Sequence, residues 1–224
     1  HCAPLDCGAR AMLTLYDYAP SQNAWKVRQL LHLLQRPYRR VPVSIFEGEG
    51  QRPEFLRVNP TGKVPALQLD DGRCLAESSA ILMYLATDTP YLPGDAYARA
   101  LVLQWLSIEQ EQVESNIGAL RHWTLTGKLP RRAPALVDAK RQAGARALRL
   151  LDGVLAERPF ITGTDYTIAD IALFAYTSRA EEAGYVLAAH PHLHAWVQRV
   201  QDRPGFLATS HAYADDPHSG RELP

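Results

Sequence analysis

The chain changes character near residue 90, and that change limits its fold more than any other feature. Before it, short apolar runs alternate with helical patterns. Met12–Tyr16 reads as a strand. Ala24–Leu34 reads as a helix, because Trp25, Val27, Leu30, Leu31 and Leu34 recur at three- and four-residue spacing. Tyr38–Val43 is a second strand, and Phe46–Asn59 a loop with some helical character. Pro65–Leu69 is a third strand. Asp70-Asp71-Gly72 signals a hairpin turn into a partner strand, Arg73–Ala76. Ser78–Ala86 is a helix with Ile81, Leu82 and Leu85 on one face. Past the breakers of Tyr91-Leu92-Pro93-Gly94-Asp95 the strand patterns stop. Helical patterns then cover about 96–126, 135–157, 167–182 and 192–201. A β-α-β-(loop or helix)-β-β-α unit followed by helices alone predicts two domains, at 11–88 and 96–210. A linker at 89–95 joins them, and 1–10 and 211–224 read as tails.

Composition narrows the function. The 224 residues are enough to bury a core without disulfide or metal staples. Lys plus Arg and Asp plus Glu both total 24, for a formal net charge of zero. That balance argues against sequence-independent nucleic-acid binding, which needs a basic footprint, and against a polybasic membrane anchor. No uncharged apolar run has the length of a membrane span, and the N-terminus lacks the apolar core of a signal peptide. The expected setting is soluble, reduced and cytoplasmic. Of three cysteines, Cys2 and Cys7 have no second ligand pair at metal spacing, so no metal site is expected.

Three short segments can carry chemistry. In Tyr16–Arg28 a strand ends, a loop holds Ser21, Gln22 and Asn23, and a helix begins. A helix N-terminus offers unpaired N–H groups and a partial positive charge, which favour an anion such as a thiolate. Ser21 adds a hydroxyl; as a bland alternative, Ser21 or Asn23 simply caps the helix. In Asn59–Leu67, Pro65 heads a strand. A cis bond before it would turn the Val64 peptide outward to pair with a peptide ligand, whereas a trans bond would make an ordinary edge strand. At Glu77-Ser78 another helix starts. Ser78 can hold a carboxylate and Glu77 an ammonium, together the head of a free α-amino acid, or Ser78 can be a plain cap. Thr167-Ile168-Ala169-Asp170 is a capping box, with Tyr166 and Ile171 placed as a hydrophobic staple. That device serves folding.

The order and spacing of these segments resemble the glutathione transferase superfamily over roughly Met12–Phe206. The Phe160-Ile161-Thr162-Gly163 run leading to Ile171 and the Pro191–Pro204 segment resemble it too. The resemblance implies a thioredoxin-like first domain with a mixed four-stranded sheet and an all-helical second domain. It implies glutathione as co-substrate, with Val64 beside Pro65 pairing its cysteinyl backbone. Glu77 and Ser78 would hold its γ-glutamyl end, with Lys63 and Gln51 toward its glycyl end. Gly50, next to Gln51, has no side chain to offer.

The subclass resemblance is to the serine-type, theta-, zeta- and nu-like proteins. Tyr16 and Tyr18 stand near the position used by tyrosine classes, but the Arg-Gly that accompanies it there is absent. No cysteine lies between residues 8 and 73, which disfavours the cysteine classes. Trp25-Lys26-Val27-Arg28 resembles the zeta isomerases, but Asn23 replaces their Cys. Ser21, with the amide of Asn23, is therefore expected to lower the thiol pKa of glutathione. The thiolate would attack an electrophile or a small disulfide. The second-substrate pocket is expected between the domains, with Tyr18, Arg121, His122 and Trp123 as lining candidates. Glu109-Gln110-Glu111-Gln112 reads as a solvated or interface face. The resemblance also implies a homodimer. The rival readings are a disulfide reductase or isomerase as the main activity, and a non-catalytic protein that reuses the fold as a scaffold for partners.

Overall fold

The computed structural model describes residues 12–209 and 211–224. The expected tail with Cys2 and Cys7 lies outside them. The first half is β1 (Leu13–Asp17), α1 (Gln22–Leu33), β2 (Tyr38–Pro42), a short α2 (Pro53–Leu56), β3 (Ala66–Gln68), β4 (Cys74–Ala76) and α3 (Ser78–Ala86). The sheet order is β2-β1-β3-β4. β1 runs parallel to β2, while β3 is antiparallel to both β1 and β4. This is the mixed four-stranded arrangement that the sequence implied. α2 gives form to the helical character of 46–59.

A buried ion cluster fixes how the first three elements meet. Asp17, at the end of β1, is fully buried and takes the Arg28 guanidinium of α1 at 2.7 Å and that of Arg40 from β2. The same Arg28 donates to the Ala19 carbonyl at 2.9 Å, which pins the loop leading to Ser21. Removing one member would strand a charge in the core, so the cluster specifies the geometry more than it adds net stability.

The second half is helical throughout the described residues. α4 (Ala96–Ile108) and α5 (Ala119–Leu125) are joined by a π-helical stretch, Glu109–Gly118. The expected single helix over 96–126 is thus one run with a widened middle. Bonding from i to i+5 brings residues five apart onto one face, here Glu109 and Glu114. Both face Lys26 of α1: its ammonium is 2.8 Å from Glu109 and 3.9 Å from Glu114. Lys26 and Glu109 are fully buried. Of the two readings of Glu109-Gln110-Glu111-Gln112, solvated or interface, Glu109 therefore does not fit the solvated one; it sits where the two halves meet. The charge pattern matched a surface, but a lysine from the other half supplied a buried partner.

α6 (Pro134–Leu155), α7 (Ile168–Thr177) and α8 (Pro191–Gln201) complete the bundle. All ten residues of α7 are buried, so it is the centre of this half. Its capping box forms as expected. Asp170 accepts from the Thr167 amide at 3.0 Å, and its other oxygen accepts from the Ile161 amide at 2.9 Å and the Trp196 indole at 3.0 Å. Burial pushes the Asp170 carboxyl up to about 6 while these donors pull it back. It is the hub joining α7, α8 and the preceding loop. Tyr166 and Ile171, the expected staple, are both buried.

The halves share one core. The Trp25 ring lies 5.4 Å from that of Phe174, and Gln29 of α1 clamps the chain at Gly205 and Leu207 with bonds of 2.9 and 2.6 Å. Residues 211–224 are not a free tail. Tyr18 donates to Asp216 at 2.8 Å, and Glu222 pairs with Arg132 at 2.5 Å. The segment is polar and breaker-rich, with little local pattern, so only long-range contacts place it.

Candidate functional site

A cavity of about 270 Å³ opens where the first half meets α5 and the returning C-terminal segment. It is lined by Tyr18, Ser21, Ile45, Gly50, Gln51, Thr61, Gly62, Lys63, Val64, His122, Tyr213, Leu223 and Pro224. Six residues singled out from the sequence are among these: Tyr18, Ser21, Gln51, Lys63, Val64 and His122.

Ser21 is the N-cap of α1, with extended backbone. Its Oγ accepts from the Ala24 amide at 3.2 Å. Capping uses a lone pair and leaves the hydroxyl proton free to donate. The capping and thiolate-binding readings of Ser21 are therefore compatible. The amides of Gln22 and Asn23 precede the first intrahelical bond, Trp25 N–H to the Ser21 carbonyl at 2.9 Å. They provide the positive end of the helix beside the Ser21 hydroxyl.

The opposite wall is a turn set by Asn59, which is almost fully buried. Its carbonyl accepts from the Thr61 amide at 3.0 Å and hydroxyl at 2.9 Å, and its amide donates to the Lys63 carbonyl at 2.7 Å. This turn delivers Lys63 and Val64 to the cavity. The Val64–Pro65 bond is cis, and Pro65 is buried behind the wall. Gly50, which had seemed only to lack a side chain, has a steric role. A Cβ there would run into the Gly62 carbonyl oxygen, so glycine lets the two backbones touch. That approach sets Gln51 against the turn.

Other sequence candidates sit apart from the cavity lining. Asn23 is held by its side chain: its amide donates to Glu114 at 2.6 Å and its carbonyl accepts from Lys26 at 2.7 Å and from Ser78 at 3.4 Å. The side chain is thus turned toward Glu114, Lys26 and Ser78, and its backbone N–H stands at the start of α1 beside Ser21. Ser78 is buried at the first turn of α3, and Glu77 before it is exposed. Glu77 has φ 66°, a left-handed conformation that a side chain adopts at a cost of about 1–3 kcal/mol. Arg121 pairs with Glu182 at 2.5 Å, and its guanidinium lies 5.6 Å from the Tyr213 ring. Trp123 does not line the cavity; it is covered by the guanidinium of Arg132 at 5.2 Å and the ammonium of Lys140 at 5.8 Å. Trp123 is part-buried against the core, the alternative to a pocket contact, with these cation–π contacts on its ring.

The tyrosines are engaged elsewhere. Tyr18 donates to Asp216, and burial with that carboxylate pushes its pKa well above the ordinary phenol value. Its proton is committed to Asp216 and is not on offer to a sulfur in the cavity.

The far side of the cavity is aromatic. The His122 ring stacks on Phe46 at 5.9 Å and meets Tyr213 at 5.3 Å, and Tyr18 is 5.8 Å from Phe46. Burial, aided by the charges of Lys128 and Arg132, pushes His122 down to about 4. It is neutral at pH 7, a flat wall and not a cation. Sequence reasoning missed Ile45, Thr61, Gly62, Tyr213, Leu223 and Pro224 as lining residues. Thr61 and Gly62 lie inside a segment already singled out. The last three carry no local signal that they return to the site.

Residues 20–88 match the glutathione S-transferase N-terminal domain, and residues 102–204 match the glutathione S-transferase C-terminal domain. The chain is 32% identical over 200 residues to the disulfide-bond oxidoreductase YfcG of Escherichia coli strain K12, covering 86% of this chain and 92% of the relative. A crystal structure of a glutathione S-transferase from Pseudomonas fluorescens Pf-5 superposes with a TM-score of 0.85 at 39% identity, covering 88% of this chain and 98% of the other. A second family member from that organism, with two glutathione bound, superposes with a TM-score of 0.76 at 28% identity, covering 87% and 90%. With both halves matched in order and a cavity at the predicted serine, the chain belongs to the glutathione S-transferase family.

Proposed function

We propose that this protein binds glutathione along the Gln51, Lys63 and Val64 wall and activates its thiol at Ser21. The thiolate then attacks a small disulfide or another electrophile. The observation that carries the reading is the free Ser21 hydroxyl at the N-terminus of α1, facing a cavity whose other wall presents Val64. An ordinary thiol has a pKa of about 8.5 and is mostly protonated at pH 7. A hydroxyl donor and two helix amides favour the charged form, and the proton leaves to water. Attack on a disulfide forms a glutathione mixed disulfide and releases one thiolate. A second glutathione then attacks that product, giving oxidised glutathione and the second thiolate. Attack on a carbon electrophile instead forms a thioether and expels the leaving group.

Glu77 and Ser78 are assigned to the γ-glutamyl end, which requires that the ligand extend past the cavity toward α3. Asn23 contributes through its backbone amide. Reduction of a disulfide is favoured over conjugation by the likeness to a relative named as a disulfide-bond oxidoreductase. A cytoplasmic setting, where thiols are kept reduced, suits either reaction. A homodimer is supported by the exposed Tyr97 and Leu103 on α4; sedimentation as a monomer at micromolar concentration would remove that part. The central test is a titration of the glutathione thiolate absorbance on the protein. We expect a bound-thiol pKa below that of free glutathione, and an unshifted value would refute the assignment.

A further inference from the structure

Beside the aromatic wall lies a cluster of cations with few partners. The Lys128 side chain is fully buried, with its ammonium 4.4 Å from the centre of the Phe46 ring and 3.4 Å from His122 Nε2. Among the described residues no carboxylate lies within ion-pair distance of it. Arg132 follows four residues later, and its buried Nε has no hydrogen-bond partner. Arg131 stands next to it. The carboxylate that reaches the arginines is Glu222, 2.5 Å from Arg132 and 3.7 Å from Arg131. Arg132 holds the Glu222 carboxyl below the usual carboxylate range. The buried ammonium and the unsatisfied guanidinium N–H leave positive charge that one exposed glutamate only partly offsets.

The position of that glutamate matters. Leu223 and Pro224, directly after it, line the same cavity as Ser21, and so does His122, which touches Lys128. The chain thus places a carboxylate on the cations and an apolar pair in the cavity, as a ligand with an acidic end would. Glu222 is the exposed member of the pair and Arg132 is part-buried, so the glutamate is the partner that solvent and other anions can reach.

We propose that Lys128, Arg131 and Arg132 form a carboxylate-binding subsite for the second substrate, which Glu222 occupies until that substrate displaces it. The proposal rests on the thiol reading above and adds to it the substrate class: disulfides or electrophiles that carry a carboxylate. Arg132 presents donors suited to a carboxylate, and the buried Lys128 beside His122 adds positive charge nearby. The segment 213–224 then competes with acidic substrates through charge, over and above any steric cover.

The test is calorimetric binding of two disulfides, dithiodipropionate with two carboxylates and neutral hydroxyethyl disulfide. S-methylglutathione is kept in the thiol site so that no turnover occurs. The readout is the ratio of the two affinities. We expect the wild type to prefer the dicarboxylate. Glu222→Gln should raise that preference by about threefold or more, since it removes the competing charge and keeps the shape. Arg132→Met should lower it by about tenfold, the loss of a charge-assisted bond. The Glu222→Gln, Arg132→Met double variant should show no gain over Arg132→Met alone. Equal responses of both disulfides to Glu222→Gln would show a merely steric cover and overturn the proposal, as would a preference untouched by Arg132→Met. If the binding pattern holds but wild-type protein turns over neither disulfide with glutathione, the reductase reading fails and the subsite stands.

Discussion

The two walls of the cavity are built in different ways. The thiol wall comes from residues close in sequence to the element that aims them: Ser21 caps its own helix, and Lys63 and Val64 follow a turn bonded by Asn59. The opposite wall is assembled from Tyr18, Phe46, His122 and Tyr213, which meet across as much as 195 residues of chain. Locally built geometry can hold one fixed ligand. A wall made of long-range contacts and a returning segment can vary without disturbing the first, which suits one constant substrate and one variable one.

The seam between the walls should give the largest effect if broken. Lys26 crosses from α1 to the π stretch and meets Glu109 with both side chains fully buried. Burial raises the Glu109 pKa, and Lys26 opposes that rise. Lys26→Met leaves Glu109 unpaired and should cost about 3–5 kcal/mol of unfolding free energy in urea melts. A loss under about 1 kcal/mol would mean the halves are held together chiefly by apolar packing.

Ser21→Ala attacks the thiol wall alone. It should lower kcat/KM by about a hundredfold, the usual cost of one donor at a developing anion. The bound thiol pKa should move back toward 8.5. Loss of the cap should cost about 1 kcal/mol in stability. Retained activity would shift the sulfur contact to the helix amides.

Tyr213→Ala attacks the other wall alone. We expect KM for the second substrate to change by up to about tenfold and KM for glutathione by less than about twofold, since truncating a wall aromatic costs on the order of 1 kcal/mol. Equal changes in both constants would show that the walls are coupled.

The smallest effect is a pH dependence. His122 has its folded pKa depressed to about 4, below the unfolded value near 6.5. The unfolded chain binds the extra proton between those values. Stability from this group is therefore intact above about pH 6.5 and falls as pH drops toward 4. His122→Phe should flatten that part of the stability curve. An unchanged slope would place the acid sensitivity elsewhere.

Legibility followed the same division. Strands, helices, the turn at Asp70–Gly72 and the capping box at Thr167 were all readable, because each is set by neighbours within a turn or a strand pair. Helix α3 was predicted with its observed bounds, Ser78–Ala86. That Ser21 would cap a helix and that Val64 would stand just before a strand were readable for the same reason. For Glu109 a solvated and an interface face both stayed open, because an acidic run carries no sign of the lysine waiting in another helix. For Trp123 the sequence left core and pocket both open, because an aromatic near a pocket is indistinguishable there from one packed against the core, where the structure has it. Gly50 was undervalued, since a backbone contact with Gly62 leaves no periodic trace.

By itself, the sequence determined the two-part architecture, the cap at the start of α1 and the absence of a cysteine from the loop before it. These rest on hydrophobic period, capping chemistry and turn residues, all short-range. Only the tertiary structure decided that Tyr18 is committed to Asp216, that Lys26 is locked to Glu109, and that residues 211–224 close one side of the cavity. Each depends on a partner far along the chain, and a charge or a hydroxyl does not reveal its partner until folding has brought the two together.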